Sequence, residues 1–486
     1  MSENIRKLRQ MLKVLQVEHW LGLVLGVVAF LLITLNDPCF GMPDKAWKCL
    51  GLVLLMVIWW ATEAVPLPVT ALLPMIFIPL LGLGTTKTAT APYANPTIYL
   101  FFGGFLLGLA MEKCNLHKRI ALNILAKVGS DPKRQIAGFM IATGFISMWV
   151  SNTATAIMML PIGISVVSVV THGQEKGEAR RFGSALMLAI AYASSIGGMG
   201  TLIGTPPNAL LRAFLAERYG IVIGFGQWMI LGVPLVIVLT IITWWWLTRR
   251  GFNFEQTNVH EHIEKELAEL GPISHAEVLT SLLFSGAAAC WILQPLISSV
   301  LPFVDDTFIA ITFGILLFIV PVDFKHHCCV MEWKDARKLP WGILLLFGGG
   351  LSLAGTINSS GLATWMADIL NSLQHVPFVV MLFILVIVVQ LLTECTSNTA
   401  TAAAFLPLAG IMAAAQGMNP AAFAIPAAVA ASCAFMLPVS TPPNAIVFRS
   451  GVLTIPDMLK AGMFLTFTSG VVVTLLVATI GPLIFW

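Results

Sequence analysis

Two copies of Ser-Asn-Thr-Ala-Thr, at residues 151–155 and 397–401, lie in otherwise apolar sequence. Ser, Asn and Thr are preferred helix N-caps, because their side-chain oxygens accept from the unpaired N–H groups of a first turn. Deep in an apolar layer the same residues acquire a second capacity. A helix start there presents free N–H groups and a positive dipole end, which suit an anion. The Asn and Thr oxygens, with carbonyls of an unwound turn, equally suit a hard cation such as Na⁺. A second pair accompanies them: "GTPPNAL" at 204–210 and "STPPNAI" at 440–446. Adjacent prolines remove two N–H donors and push the preceding residue out of the α region, so each copy breaks a helix. None of these four elements contains Lys or Arg. An anion bound among them is held by hydroxyls, amides, helix dipoles and co-bound cations.

The elements that position these motifs follow from composition. Of 486 residues, 57% are hydrophobic and 10% charged, with a mean hydropathy of +0.88. Soluble domains carry about 25% charged residues, so the chain is a polytopic, all-α membrane protein. The short alternating segments of a barrel are absent. The apolar runs 135–171 and 376–416 each hold a pentapeptide near the middle. An arm of residues 135–150 makes a helix of only about 24 Å, against a hydrocarbon core of about 30 Å. Both runs are therefore expected to form re-entrant hairpins with the pentapeptide at the tip, where protein or a water-filled cavity shelters the irregular backbone. The run 182–215 would measure about 51 Å as one straight helix and is expected to break at its glycines and prolines. The run 421–448 breaks in the same way.

These elements form a repeat. "LFFGG" at 100–104 answers "LLFGG" at 345–349, and both motif pairs follow in the same order. The expectation is about eleven transmembrane helices plus two hairpins in an inverted repeat, an arrangement of secondary transporters with the site where the halves meet. Residues 1–18 are a cytoplasmic N-terminal segment, 19–96 the first helices and 97–248 the first repeat. A cytoplasmic linker (249–275) and helices over 276–339 lead to the second repeat, 340–486, with its last helix at 461–485. With the N-terminus cytoplasmic and the C-terminus outside, 22 of the 27 Lys and Arg fall on the inner side of a plasma (inner) membrane.

Other chemistries find little purchase. No Walker, HExxH or GxSxG pattern is present in a credible context, so no enzyme is expected. The net charge of +3 follows membrane topology and does not indicate nucleic acid. Cys39 and Cys49 flank one outer loop and could pair. "HHCC" at 326–329 offers four contiguous ligands, which wrap one ion poorly. Glu394, three residues before Ser397, is an intramembrane acid and so a candidate for cation coupling. It leaves a cation/proton antiporter as the alternative of another class.

Two Ser-Asn-Thr motifs, each with a downstream Thr-Pro-Pro element in an inverted repeat, resemble the divalent anion:sodium symporter (DASS) family over residues 20–486. The resemblance implies a homodimer whose protomers divide into scaffold and transport domains moving as an elevator, with Na⁺ as the coupling ion. It implies a first Na⁺ site at Ser147, Ser151, Asn152 and Gly204, and a second at Thr393, Ser397, Asn398, Ser440 and Pro442. It implies substrate contacts from Asn152, Thr153, Thr205, Asn398, Thr399, Thr441 and Pro442. Members carry C4-dicarboxylates, citrate, tartrate or sulfate, and some are sodium-independent exchangers. A small site without basic residues fits succinate, malate or fumarate best.

Overall fold

A computed structural model of the chain describes residues 19–39, 41–171, 176–252, 259–323, 328–370 and 376–485. The expected segment 1–18, part of the linker (253–258) and the histidines of "HHCC" lie outside them. The described chain is helical apart from one short ladder, in which Cys328–Cys329 pairs with Pro321–Asp323. Cys39 and Cys49 are both free thiols, one exposed and one buried. Among the described residues no group of His, Cys, Asp and Glu could hold a metal ion.

Eight described helices are long and apolar enough to cross a membrane, and shorter apolar helices accompany them. The shorter ones include pieces of the interrupted elements, Phe378–Thr393 and Ala421–Ala431. The first interrupted run comprises Pro132–Ser147 and Asn152–Thr171, the second Phe378–Thr393 and Asn398–Ala415. Helix Pro132–Ser147 begins three residues before the apolar run, because the Asp131 side chain accepts from the Arg134 N–H and Pro132 occupies the first turn. The proline breaks separate Lys176–Gly198 from Pro206–Tyr219, and Ala421–Ala431 from Pro442–Phe448. The last helix, Ile455–Ile484, starts six residues before the apolar run at a Thr454–Asp457 capping box. The run after "LFFGG" divides at Asn115, whose left-handed φ of 60° separates Pro96–Lys113 from Leu116–Ala126.

The shared glycine pairs have a packing role. A Cβ on Gly103 would strike the Ala310 carbonyl, and one on Gly349 the Ala71 carbonyl. Each pair thus lets its helix lie directly on a neighbouring backbone, which larger residues forbid. The halves interlock crosswise. Pro442–Phe448 packs on both Lys176–Gly198 and Asn152–Thr171, while Pro206–Tyr219 packs on Asn398–Ala415.

Ion pairs join segments that are expected to share a membrane side. Segments assigned to one side meet through Lys113–Asp335, Lys118–Glu266 and Arg119–Glu277. Segments assigned to the opposite side meet through buried Arg212, which donates to Asp306 at 3.2 Å and to the Ile223 carbonyl at 2.9 Å. Asp306 also accepts from the Phe225 N–H at 3.1 Å. Breaking such a pair leaves an uncompensated buried charge, at a cost of about 3–5 kcal/mol. Asp306→Ala should therefore lower the thermal midpoint in detergent by several degrees, and an unchanged midpoint would remove this pair from the account of the fold.

Candidate functional site

Each pentapeptide begins a helix at an interruption, and a hydroxyl just before it draws oxygens together. In the first half the Ser147 hydroxyl lies 2.7 Å from Asn152 Oδ1 and 2.6 Å from the Ser194 carbonyl. In the second half the Thr393 hydroxyl lies 2.9 Å from Asn398 Oδ1 and 2.8 Å from the Ala431 carbonyl. A hydroxyl carries one proton, so it can donate to only one of its two acceptors. Three oxygens therefore converge in each half with a single proton among them. The first cluster also includes the Gly204 carbonyl, 3.3 Å from Asn152 Oδ1, with the Ser194 carbonyl at 3.1 Å from the same atom.

Two arrangements relieve such an excess of acceptors. If the Asn152 amide turned over, its two N–H protons would face the Ser147, Ser194 and Gly204 oxygens at 2.7–3.3 Å. Alternatively, a cation sits among the oxygens. Oxygen ligands lie ~2.3–2.6 Å from a cation of Ca²⁺ size, which is also the size of Na⁺. At that radius, ligands roughly a right angle apart are ~3.4 Å from one another, close to the carbonyl separations here. Glycine makes the first cluster possible: a Cβ on Gly198 would stand 2.5 Å from Asn152 Oδ1 and 3.0 Å from the Gly204 carbonyl.

The structure distributes the other expected residues unevenly. The Ser151 hydroxyl faces its own helix start, accepting from the Ala154 N–H at 3.3 Å. Ser397 precedes the second helix with extended backbone and makes no side-chain cap bond. Thr153 is half-buried and Thr399 buried, and neither hydroxyl has a partner among the described residues. Thr205 and Thr441 occupy matching N-cap positions, with φ/ψ of −143°/142° and −140°/150°. Only Thr441 caps with its side chain, accepting from the Asn444 N–H. Ser440 donates to the Leu437 carbonyl at 2.8 Å, and Pro442 opens the helix beyond it.

The two breaks touch each other, with Cys433 Sγ 3.7 Å from Met199 Sδ and the Tyr192 ring edge-on to Phe435. Asparagines brace them from within. Asn208 donates to the Thr201 carbonyl at 2.8 Å, and Asn444 to the Leu437 carbonyl and Ser440 hydroxyl at 3.0 Å. Both asparagines are fully buried, and both Oδ1 atoms are unpartnered. Thr201 bridges the first interruption and break, donating to the Met148 carbonyl and accepting from the Gly204 N–H. The glycines and prolines mark the breaks in the sequence, whereas the bracing role of these two asparagines, which stand in the quoted motifs, shows only in the fold. Asn208→Ala leaves the Thr201 carbonyl unpaired, at about 1–3 kcal/mol. A lowered thermal midpoint in detergent is expected, and an unchanged one would show that Asn208 does not brace the break.

Glu394 sits against the main chain of the second break. Its carboxylate accepts from the Phe435, Met436 and Leu437 N–H groups at 2.6–3.2 Å. It is 1% exposed, so these N–H groups are its environment. The acid holds the unwound start of the second break, where three successive amides lack helical partners.

Residues 17–486 match the sodium:sulfate symporter transmembrane region. The chain is 41% identical over 472 residues to the sodium-dependent dicarboxylate transporter SdcS of Staphylococcus saprophyticus, covering 95% of this chain and 91% of that protein. It is likewise 41% identical over 475 residues to SdcS of Staphylococcus aureus strain USA300, covering 96% and 91%. The solved structure of Neisseria gonorrhoeae MtrF, from a class of antimetabolite efflux pumps, superposes with a TM-score of 0.57. That likeness covers 90% of this chain and 95% of MtrF at 12% identity, and bears on fold alone.

Proposed function

This chain belongs to the sodium:sulfate symporter (divalent anion:sodium symporter) family of membrane transporters, and from that premise we propose that it couples Na⁺ entry to uptake of C4-dicarboxylates such as succinate, malate and fumarate. The observation that carries the reading is the pair of matching oxygen clusters, Ser147/Asn152/Ser194/Gly204 and Thr393/Asn398/Ala431, each short of protons. Na⁺ in each cluster corrects that shortage with hard oxygen ligands. On this reading Ser151 and Ser397, each next to its asparagine in sequence, and Ser440 and Pro442 of the second break complete the two ion sites.

The substrate carboxylates are met by the Asn152 and Asn398 amides and by the Thr153, Thr399, Thr205 and Thr441 hydroxyls, with Pro442 at the wall. The Thr153 and Thr399 hydroxyls, next to each asparagine and without a partner among the described residues, support this assignment. The site motifs contain no basic side chain, so the bound Na⁺ ions offset the dianion's charge, and coupling follows: neither species binds well without the other. The same reading takes the protein as a homodimer in a cell membrane, with the interrupted helices moving against a scaffold as an elevator.

A thermal-shift screen of purified protein against dicarboxylates, citrate and sulfate tests the assignment, because a ligand stabilises only the state that binds it. Succinate is expected to raise the midpoint in Na⁺ and not in K⁺. Sulfate or citrate stabilising in place of succinate would move the substrate class, and flat curves for every anion would sink the reading.

A further inference from the structure

A cavity of about 470 Å³ opens between the ends of three helices, Lys176–Gly198, Phe225–Thr248 and Ile455–Ile484. It is lined by Arg180, Arg181, Arg249, Arg250 and Lys460 against one acid, Asp457. Arg180 reaches Asp457 at 3.4 Å, and Arg181 pairs with Glu178 and donates to the Gly251 carbonyl at 3.0 Å. Arg249 lies 3.3 Å above the Trp246 ring. The Arg250 and Lys460 side chains meet no carboxylate among the described residues. Five cations against these two acids leave three positive charges gathered in one cavity, where they repel one another.

The lining is also amphipathic. Leu188, Trp246 and Ala461 contribute apolar surface, and Trp246 stacks on Phe464 at 3.6 Å. Leu188 stands two turns further along its helix than Arg181, so the apolar part lies toward the middle of the helix. The level is that of a membrane surface. Ile455–Ile484, at 30 residues, is about 45 Å long against a hydrocarbon core of about 30 Å. Lys460, within its first two turns, therefore falls at headgroup depth, beside the aromatic belt formed by Trp244, Trp245 and Trp246. The cavity is separate from the oxygen clusters, since Leu188 precedes Ser194, the nearest cluster residue on its helix, by about 9 Å of helix.

The geometry points to a binding site for a phosphate-bearing anion, whose oxygens take paired hydrogen bonds from the guanidinium groups. Arginine forks match phosphate in this way, and basic pockets between membrane helices bind anionic headgroups. The basic lining serves a phosphate from either of two sources, an anionic phospholipid or a soluble polyphosphate. The apolar lining serves only the lipid. A bound headgroup would tie together three helix ends, one of them on the helix that carries the first break.

The test uses full-length protein in a neutral detergent, stripped of lipid. Phosphatidylglycerol, cardiolipin, phosphatidylcholine and pyrophosphate are each titrated, with native mass spectrometry and thermal midpoint as readouts. Phosphatidylglycerol and cardiolipin are expected to bind and stabilise, and phosphatidylcholine is not. In the double variant Arg249→Gln/Arg250→Gln, and separately in Lys460→Gln, apparent affinity should fall at least tenfold. Both variants should keep a cooperative thermal transition and elute with the wild type on size exclusion, which shows that they fold. Pyrophosphate binding with the same variant sensitivity, without lipid binding, would assign the site to a soluble phosphate. No binding of any phosphate species, or equal binding by wild type and both variants, overturns the proposal. Because the readout is binding at the helix ends, it stands or falls independently of the transported substrate.

Discussion

Gly198→Ala is expected to raise the Na⁺ concentration for half-maximal succinate uptake about tenfold or more, a loss of at least ~1.4 kcal/mol of ion binding. The reason is local. The added Cβ would stand 2.5 Å from Asn152 Oδ1, 3.1 Å from Asn152 Nδ2 and 3.0 Å from the Gly204 carbonyl. No carbon fits at such distances, so the Asn152 amide must leave the cluster or the break must widen. The helix itself tolerates alanine better than glycine, so the protein should still fold. Gly355→Ala is the matched control, because a Cβ there meets nothing within 4 Å. Its Na⁺ dependence should equal that of the wild type. A folded Gly198→Ala protein with wild-type Na⁺ dependence would remove the first oxygen cluster from the mechanism.

Glu394→Gln separates two roles for the buried acid. The carboxylate accepts four short contacts from three successive N–H groups. A glutamine keeps one acceptor oxygen and turns an NH₂ group toward the remaining donors. Leaving those buried donors short of their charged partner costs about 1–3 kcal/mol, or a fall of about 1–3 °C in thermal midpoint for a chain of this length. The Thr393–Asn398 cluster is carried on the segment just before and after this acid, so Na⁺ affinity should weaken as well. A proton carrier would behave differently: its glutamine variant would keep its midpoint and its ligand binding, and lose only proton-coupled flux. That outcome would restore the antiporter reading.

How much of this was legible in the sequence depended on whether a residue type or a backbone group carried the contact. The Ser-Asn-Thr and Thr-Pro-Pro pairs were visible because small polar residues and double prolines are conspicuous in apolar runs, and the structure interrupts its helices at both. The carbonyls of Ser194 and Ala431 were not visible, because any residue supplies a carbonyl and only the fold selects which one is presented. Gly198 disappeared into a run of four glycines, and only its approach to Asn152 distinguishes it from the others. Glu394 was conspicuous as an acid in lipid, but its partners are main-chain amides about forty residues later, which leave no side-chain signature. The "FGG" pairs marked the repeat, while their contacts with Ala310 and Ala71 depend on tertiary packing.

The most direct test of the central claim is uptake of labelled succinate into proteoliposomes under an imposed inward Na⁺ gradient, with K⁺ as the matched control. Accumulation above equilibrium in Na⁺, none in K⁺, and loss of uptake in both Asn152→Ala and Asn398→Ala are the predicted results. Equal uptake in Na⁺ and K⁺, with succinate counterflow retained, would contradict coupling through the twin oxygen clusters and describe an exchanger instead.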